Sequence, residues 1–345
     1  MITYRTLGDG AQEAAEVARD VAEFLDEAER SLELALYDLK LSGESEALVL
    51  GAIRRAEARG VAVRLAYNVD HPNPIPVPPP PTCVPEDVEA LPVPTRGVPG
   101  IPDLMHHKFC VRDGNAVLTG STNWTDDSWA RQENVKLVVT SGEVAAAYRL
   151  AFDQLWSGVP VLDAGRVEPR HLDVDGVKVR TWFCPGFGDA LSHRVAKFIG
   201  RATRRVRICS PVISAGPVLG TLAQVIAEGR VHVAGCVDAT QITQVNVQWE
   251  AQQVSAWKIP LLRSILGAGV FAGKNSTPWA PGSLHDFMHA KVTVADDVVF
   301  CGSFNLSRSG ERNAEDMLEI HDPGLADELA EFVDGVRARY PVMQL

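Results

Sequence analysis

The residues able to do chemistry in this chain occur twice, in the same order. The first set is His106, Lys108 and Asp113, then Gly120-Ser121-Thr122-Asn123, with Glu133 ten residues on. The second is His289, Lys291 and Asp296, then Gly302-Ser303-Phe304-Asn305, with Glu315 ten residues on. Two copies of His-x-Lys-x4-Asp followed by Gly-Ser-x-Asn do not arise by coincidence. On a strand, residues two apart share a face, so each His and its Lys project together. An imidazole serves as nucleophile or general acid near neutral pH. An ammonium, with Ser and Asn donors, suits the non-bridging oxygens of a phosphoryl group. A glutamate accepting Nδ1–H would turn Nε2 toward phosphorus. One copy supplies one imidazole, and in-line displacement with both an attacking group and a leaving-group acid needs two.

The pattern resembles the HKD motif of the phospholipase D superfamily, and the resemblance covers both motifs and the order of elements around them. One departure is visible: six residues separate Asp113 from Gly120, whereas five separate Asp296 from Gly302. The resemblance implies two pseudo-symmetric α/β/α sandwich lobes, each a mixed β-sheet flanked by helices, with both motifs at their seam. It implies a metal-independent phosphodiesterase that passes through a phosphohistidine, with no cofactor and no metal ligands. It assigns the nucleophile to His106 and the acid to His289, although symmetry permits the reverse. Lys108, Lys291, Asn123 and Asn305, with Ser121 and Ser303, would hold the phosphoryl oxygens.

The 345 residues, 46% of them hydrophobic, suffice for two cores of ordinary size. No apolar run is long enough to span a membrane, and the N-terminus lacks the basic and apolar regions of a signal peptide. A cytoplasmic protein is expected. The six cysteines are scattered, without CxxC or Cys/His clusters, so buried free thiols are expected. The net charge of −11 is uneven: residues 1–165 carry 14 Lys/Arg against 25 Asp/Glu, and residues 166–345 carry 19 of each. An acidic half does not advertise nucleic-acid binding, yet a local cleft can be positive on an acidic protein.

Strand- and helix-like pieces recur in parallel through both halves. Strands are expected at 2–6, 32–37 and 61–67, and again at 177–183, 206–209 and 231–237. Helices are expected at about 11–30, 44–59 and 141–157, and again at about 188–203, 216–229 and 323–339. This alternation predicts a largely buried mixed sheet in each of two lobes, 1–165 and 166–345. Each motif (106–123 and 289–305) follows an insertion. Residues 71–104 hold 12 of the 22 prolines, which favours polyproline II over a packed core; a surface loop and a stiff flap over the site are both open. Residues 239–287 carry Trp249, Trp257 and Trp279 with Lys258, Arg263 and Lys274, which would line a cleft or pack the insertion onto its lobe.

Glu133 and Glu315 are the expected imidazole orienters. Ser121 and Ser303 either bind phosphate or hold the Gly-Ser turn. Asp113 and Asp296, at the hairpin turns, read as structural, and His107 as a packed or partly exposed neighbour of the opposite face. The run Arg194, Lys197, Arg201, Arg204, Arg205, Arg207 reads as a solvated face. Trp124 and Trp129 would line the site mouth or pack the core. The expected partner is a phosphodiester substrate, with no membrane span; oligomeric state is not legible. The soluble character and the Trp/Lys-bearing insertion lean toward nucleic-acid phosphodiester hydrolysis. Phospholipid cleavage or phosphatidyl transfer is the alternative. With both motifs whole, a purely binding role is disfavoured.

Overall fold

The computed structural model describes residues 1–69, 83, 85–100, 103–251, 253–278, 280 and 282–345. The first half runs β1 (Ile2–Leu7), α1 (Ala14–Asp26), β2 (Ser31–Leu36), β3 (Leu39–Lys40), α2 (Gly43–Ala58) and β4 (Ala62–Val69). It continues through α3 (Pro85–Glu89), β5 (Thr95–Pro99), β6 (Lys108–Arg112), β7 (Ala116–Gly120), β8 (Trp124–Thr125), α4 (Asp126–Ala130), β9 (Asn134–Thr140) and α5 (Gly142–Trp156). The second half begins with β10 (His171–Val174), β11 (Val177–Cys184), α6 (Gly188–Arg201), β12 (Arg205–Cys209), α7 (Gly216–Glu228), β13 (His232–Asp238) and α8 (Ala239–Ala251). It ends with α9 (Ile259–Gly267), β14 (Phe271–Lys274), β15 (Val292–Ala295), β16 (Val298–Gly302), α10 (Arg308–Arg312), β17 (Glu315–His321) and α11 (Pro323–Arg339).

The two large sheets have one topology. The first is ordered β1-β9-β7-β6-β2-β4-β5 and the second β11-β17-β16-β15-β12-β13-β14, with β10 added at its edge. In both, the first strand of the motif's hairpin (β6, β15) pairs antiparallel with a strand (β2, β12) that also pairs in parallel with a later strand of the same sheet (β4, β13). Such mixed sheets are covered on both faces. One face of the first sheet packs on α1 and α2, and one face of the second on α6, α7 and α9.

The remaining faces point at each other, with α5 and α11 between them. On α5 the buried residues Val144, Ala145, Tyr148, Ala151, Phe152 and Leu155 form an i, i+4, i+7/8 stripe, as do Leu325, Ala326, Leu329, Ala330, Val333 and Val336 on α11. Ser141 and Asp322 cap the two helices at matching places. Both stripes belong to one apolar core that also holds Phe109 and Val117 of the first sheet and Phe183, Val294 and Leu318 of the second. The sequence suggests two sandwiches each with its own two helical layers. The structure has these layers: α5 packs on the first sheet and touches β11 of the second, α11 packs on the second sheet, and the two stripes merge in one core.

The Gly-Ser turns are fixed by close approach. A Cβ on Gly120 would strike the Val135 carbonyl oxygen, and one on Gly302 the Asp316 carbonyl oxygen, so β7 and β16 end where only glycine fits. Asp113 and Asp296 sit at φ 54° and 52°, at the hairpin turns. The Asp113 carboxylate accepts the backbone N–H groups of Glu29, Arg30 and Ser31; Asp296 accepts those of Thr203, Arg204 and Arg205. Burial opposes their charge, but the backbone donors outweigh it and hold both carboxyls below the ordinary range. A group with its folded value lowered stabilises above its unfolded value and loses that contribution as pH falls through the folded one. Asp113→Asn or Asp296→Asn should therefore cost about 1–3 kcal/mol in urea unfolding at pH 7. That deficit should shrink as the titration is repeated toward pH 3.

Candidate functional site

The seam joins the halves through reciprocal backbone bridges. Met105 pairs with Ala314, and Met288 with Glu133. The His106 N–H donates to the Ala314 carbonyl at 2.9 Å, and the His289 N–H to the Glu133 carbonyl at 3.1 Å. Each motif's histidine thus leans on the residue that precedes the last strand of the opposite half. Both imidazoles line one cavity of about 260 Å³, whose wall also includes Tyr37, Asp38, Asn123, Gln132, Phe287 and Asn305.

The imidazoles are oriented differently. His106 Nδ1–H donates to Glu315 Oε2 at 2.8 Å. His289 Nδ1–H donates to Asn134 Oδ1 at 3.2 Å. The amide of Asn134 cannot be reversed, because its Nδ2 donates to Ser128 O, Ser128 Oγ and Gln132 Oε1. Its Oδ1 therefore faces His289, and both rings keep Nε2 free for the cavity.

Glu133 is not the second orienter that the equal spacing suggests. Gly120 lies across from Lys136, whereas Gly302 lies across from Met317. The stretch before β9 is thus one residue longer than that before β17, and Asn134 takes the place equivalent to Glu315. The Glu133 carboxylate is buried elsewhere. It accepts from Lys274 Nζ at 2.9 Å and from the Tyr340 hydroxyl, with Arg339 at 3.6 Å. The glutamate ties β14 and the segment after α11 to the seam.

The serines lie behind the imidazoles and not on the cavity wall. Ser121 Oγ donates to Asn134 Oδ1 at 2.7 Å and accepts from Val135 N; Ser303 Oγ lies 3.2 Å from Asp316 Oδ1 and accepts from Asp316 N. Of the two roles open to them, holding the turn is the one their bonds display. Asn123 and Asn305 line the cavity, and the Oδ1 atom of each is buried without a partner, as expected of amides placed for a ligand.

Lys108 and Lys291 are buried, each donating to its own motif's histidine carbonyl, at 2.6 and 2.7 Å. Burial lowers both ammonium pKa values, that of Lys108 to about 8. Burial first, then the fields of Lys108 and Lys291, push both imidazoles below their usual range. Burial pushes Glu315 up to about 7, against the pull of Lys108. A cluster so short of counter-charge is poised for an anion.

Several residues escaped the sequence reading. Asp316 is buried beneath the site and accepts from Thr119 Oγ1 (2.5 Å), Tyr148 OH (2.9 Å) and His107 Nδ1 (3.1 Å). His107 is accordingly packed and not exposed. The only signal for Asp316 and Asn134 was adjacency to the two glutamates. Trp124, Trp129 and Trp249 belong to the cores, Trp257 is 57% exposed, and Trp279 lies outside the described residues. Residues 71–82, 84, 101 and 102 of the proline-rich segment also lie outside them. Arg194, Arg204, Arg205 and Arg207 pair with Glu319, Asp297, Asp327 and Asp334, so four of the six members of the basic run are paired.

Two substitutions separate the glutamates. Glu315→Gln should lower turnover by about 10²–10⁴-fold through loss of the imidazole's partner. Glu133→Gln should lower thermal stability, leaving the buried Lys274 with Asp9 at 3.2 Å as its remaining carboxylate, while kcat of the folded enzyme holds. The lysine test runs the other way. Between pH 8 and 10.5 the unfolded chain binds the Lys108 proton that the folded protein has lost, so its contribution to stability rises with pH in that window. Lys108→Met should raise Tm at pH 7 and flatten that rise, while turnover falls at least about 10²-fold.

Residues 21–156 and 195–336 match the family model described as "Cardiolipin synthase, PLD-like domain". A mitochondrial cardiolipin hydrolase of Xenopus tropicalis is 31% identical over 134 residues, 37% of this chain and 56% of that protein. A second, from Xenopus laevis, is 42% identical over 52 residues, 15% of this chain and 25% of the relative. The chain therefore spans about half or less of the curated relatives it matches. Among solved structures, phosphatidylserine synthase of Haemophilus influenzae superposes with a TM-score of 0.64 at 16% identity, covering 99% of this chain and 87% of that one. Polyphosphate kinase of Porphyromonas gingivalis gives 0.56 at 13% identity, over 97% and 50%. At such identities the likeness is one of fold. With both halves matched by the family model and two HKD hairpins meeting at one seam, the chain belongs to the cardiolipin synthase, PLD-like domain family of the phospholipase D superfamily.

Proposed function

We propose that the protein is a phosphodiesterase that works through a phosphohistidine and acts on a glycerophospholipid-type diester. One observation carries the reading: two imidazoles from opposite halves face one cavity, each with Nδ1 fixed by an acceptor. In the first step His106 Nε2 attacks phosphorus. The bond from phosphorus to the leaving alcohol breaks, and that oxygen takes the proton from His289 Nε2. In the second, His289 Nε2 removes a proton from water, whose oxygen attacks phosphorus and breaks the Nε2–P bond. Lys108, Lys291, Asn123 and Asn305 balance and hold the phosphoryl oxygens, and no step calls on a metal.

The unequal partners support this division of labour. A phosphorylated His106 ring that keeps its Nδ1–H is cationic, and the Glu315 carboxylate stabilises it. His289 faces a neutral amide, which stabilises an imidazolium less and makes it the readier proton donor. The arriving diester anion offsets the lysines and favours protonated His289.

On substrate, the relatives' names point to phospholipids, and the cavity rim agrees. Asp38, Asp126 and Asp127 border its opening, a poor face for a polyanion. Nucleic acid remains the second reading, resting on soluble-protein composition and Trp257. No helix among the described residues is long and apolar enough to cross a membrane.

A side-by-side assay in EDTA would use single-stranded DNA, RNA, phosphatidylcholine and phosphatidylethanolamine vesicles, and bis(p-nitrophenyl) phosphate. Lipid headgroup release without nicking is expected; nicking alone would favour the nuclease reading, and activity only with added divalent ion would sink the metal-free mechanism. On the chromogenic diester, His289→Ala should give one burst of p-nitrophenolate, a leaving group needing no acid, and then accumulate phosphohistidine. His106→Ala should give neither. Because Lys108 loses its proton at about 8, kcat/KM should fall above that pH.

A further inference from the structure

Beside the catalytic cavity lies a second hollow of about 360 Å³, and the two share Asp38, Thr125 and His285 on their walls. Asp38 follows Tyr37, whose ring packs edge-on against His106 at 4.6 Å between centroids. The Asp38 side chain is therefore next to the reacting centre and opens onto both spaces. It is 5% exposed, and its Oδ1 is buried with no hydrogen-bond partner. A buried carboxylate oxygen left unpaired is costly, and such an atom in a native site calls for a ligand. The outer hollow holds a second orphan of the same kind, Asp126 Oδ1, although Asp126 Oδ2 accepts from Ser42 Oγ at 2.7 Å. Asp127 adds a third carboxylate, fixed by the His285 N–H at 3.0 Å.

Lys40 also lines this hollow; burial pushes the Asp38 carboxyl well above its ordinary range, and Asp126 and Asp127 still outnumber the one ammonium. Its wall is the opposite of the lysine-rich floor beneath the imidazoles. Two adjoining spaces that differ in sign and share Asp38 on their walls match a substrate whose two ends are oppositely charged. Among the described residues no group of three His, Cys, Asp or Glu side chains has the arrangement that holds a metal ion. The acceptors suit instead the spread donors of an organic ammonium.

From this geometry we infer that Asp38, with Asp126 and Asp127, forms a subsite for the alcohol of the diester and selects an alcohol bearing a primary ammonium. The inference rests on the phosphodiesterase reading above and narrows its substrate. With phosphorus held between His106 and His289, the alcohol enters the outer hollow and its ammonium donates to Asp38 Oδ1. The same contact disfavours an alcohol ending in phosphate or carboxylate, which would face three carboxylates at short range.

The test compares the 2-aminoethyl and 2-hydroxyethyl esters of one short-chain phosphatidic acid, which differ by a single terminal group. Release of the common product, phosphatidic acid, gives kcat/KM for each with the full chain. The expected wild-type preference for the aminoethyl ester is about tenfold, the worth of one charge-assisted hydrogen bond. In Asp38→Asn the ratio should fall to about two or below, and in Asp127→Asn part of the way. Asp38→Asn keeps the side chain's shape, and Oδ1 has no bond to lose; the half-buried Asp127 supplies a second measure should the first variant fold poorly. Equal rates on the two esters, or a preference undiminished in both variants, overturns the subsite while leaving the phosphodiesterase intact. Hydrolysis of neither ester overturns the phospholipid reading and the subsite with it. If the chromogenic diester is cleaved in the same preparation, only the choice of substrate has failed.

Discussion

Everything at this site depends on one arrangement: each histidine is held by the half of the chain to which it does not belong. The backbone of His106 is pinned by Ala314 and its ring by Glu315; that of His289 is pinned by Glu133 and its ring by Asn134. Neither half can orient its own imidazole. A hydrogen bond at 2.8 Å tolerates displacements of a few tenths of an ångström, so the halves must meet in one fixed relation. The shared apolar core meets that demand. The buried stripes of α5 and α11 and residues of both sheets form one cluster, and close-packed interiors of this kind resist sliding. Tyr148 of α5 makes the connection explicit, because its hydroxyl donates to Asp316, the residue after Glu315. The packing that joins the lobes therefore also positions the carboxylate that aims His106.

The duplication is imperfect in a useful way. Two identical halves would present two identical imidazoles, and nothing would decide which one attacks. One additional residue before β9 puts an amide where the other half has a carboxylate. The displaced Glu133 is taken up by Lys274 and Tyr340. The change exchanges a charged acceptor for a neutral one at the second histidine, and this alone differentiates the basicity of two otherwise equivalent rings. A single-residue difference in loop length thus acts as a chemical substitution.

How far the sequence revealed this can be judged residue by residue. His106, His289, Asn123 and Asn305 were legible because repetition marks function and the cavity then gathers them. The strands and most helices followed from alternating and 3.6-residue patterns, and Asp113 and Asp296 were readable as turn residues. The Glu133 register was not legible, because equal spacing in sequence conceals compensating differences in turns. The shorter turn after Asp296 was a hint that the copies are not superimposable. The merging of the α5 and α11 stripes into one core was hidden because an amphipathic stripe says which face is buried but not what lies beyond its own sheet. Asp38 was hidden for a different cause: it lies outside the repeat, and its lack of a partner is a property of three-dimensional space alone.

The electrostatic pattern explains why so acidic a protein can handle an anion. Lys108 and Lys291 are buried and, among the described residues, have no ion-pair partner, so their fields act through protein and not through water, where effects of this size would be screened. The carboxylates of Glu315 and Asp316 sit behind the imidazoles and bond to other groups. Toward the mouth the sign reverses, with Asp38, Asp126 and Asp127 on the wall. Net charge and the scattered basic run say little about such a site, since ion pairs silence the surface arginines.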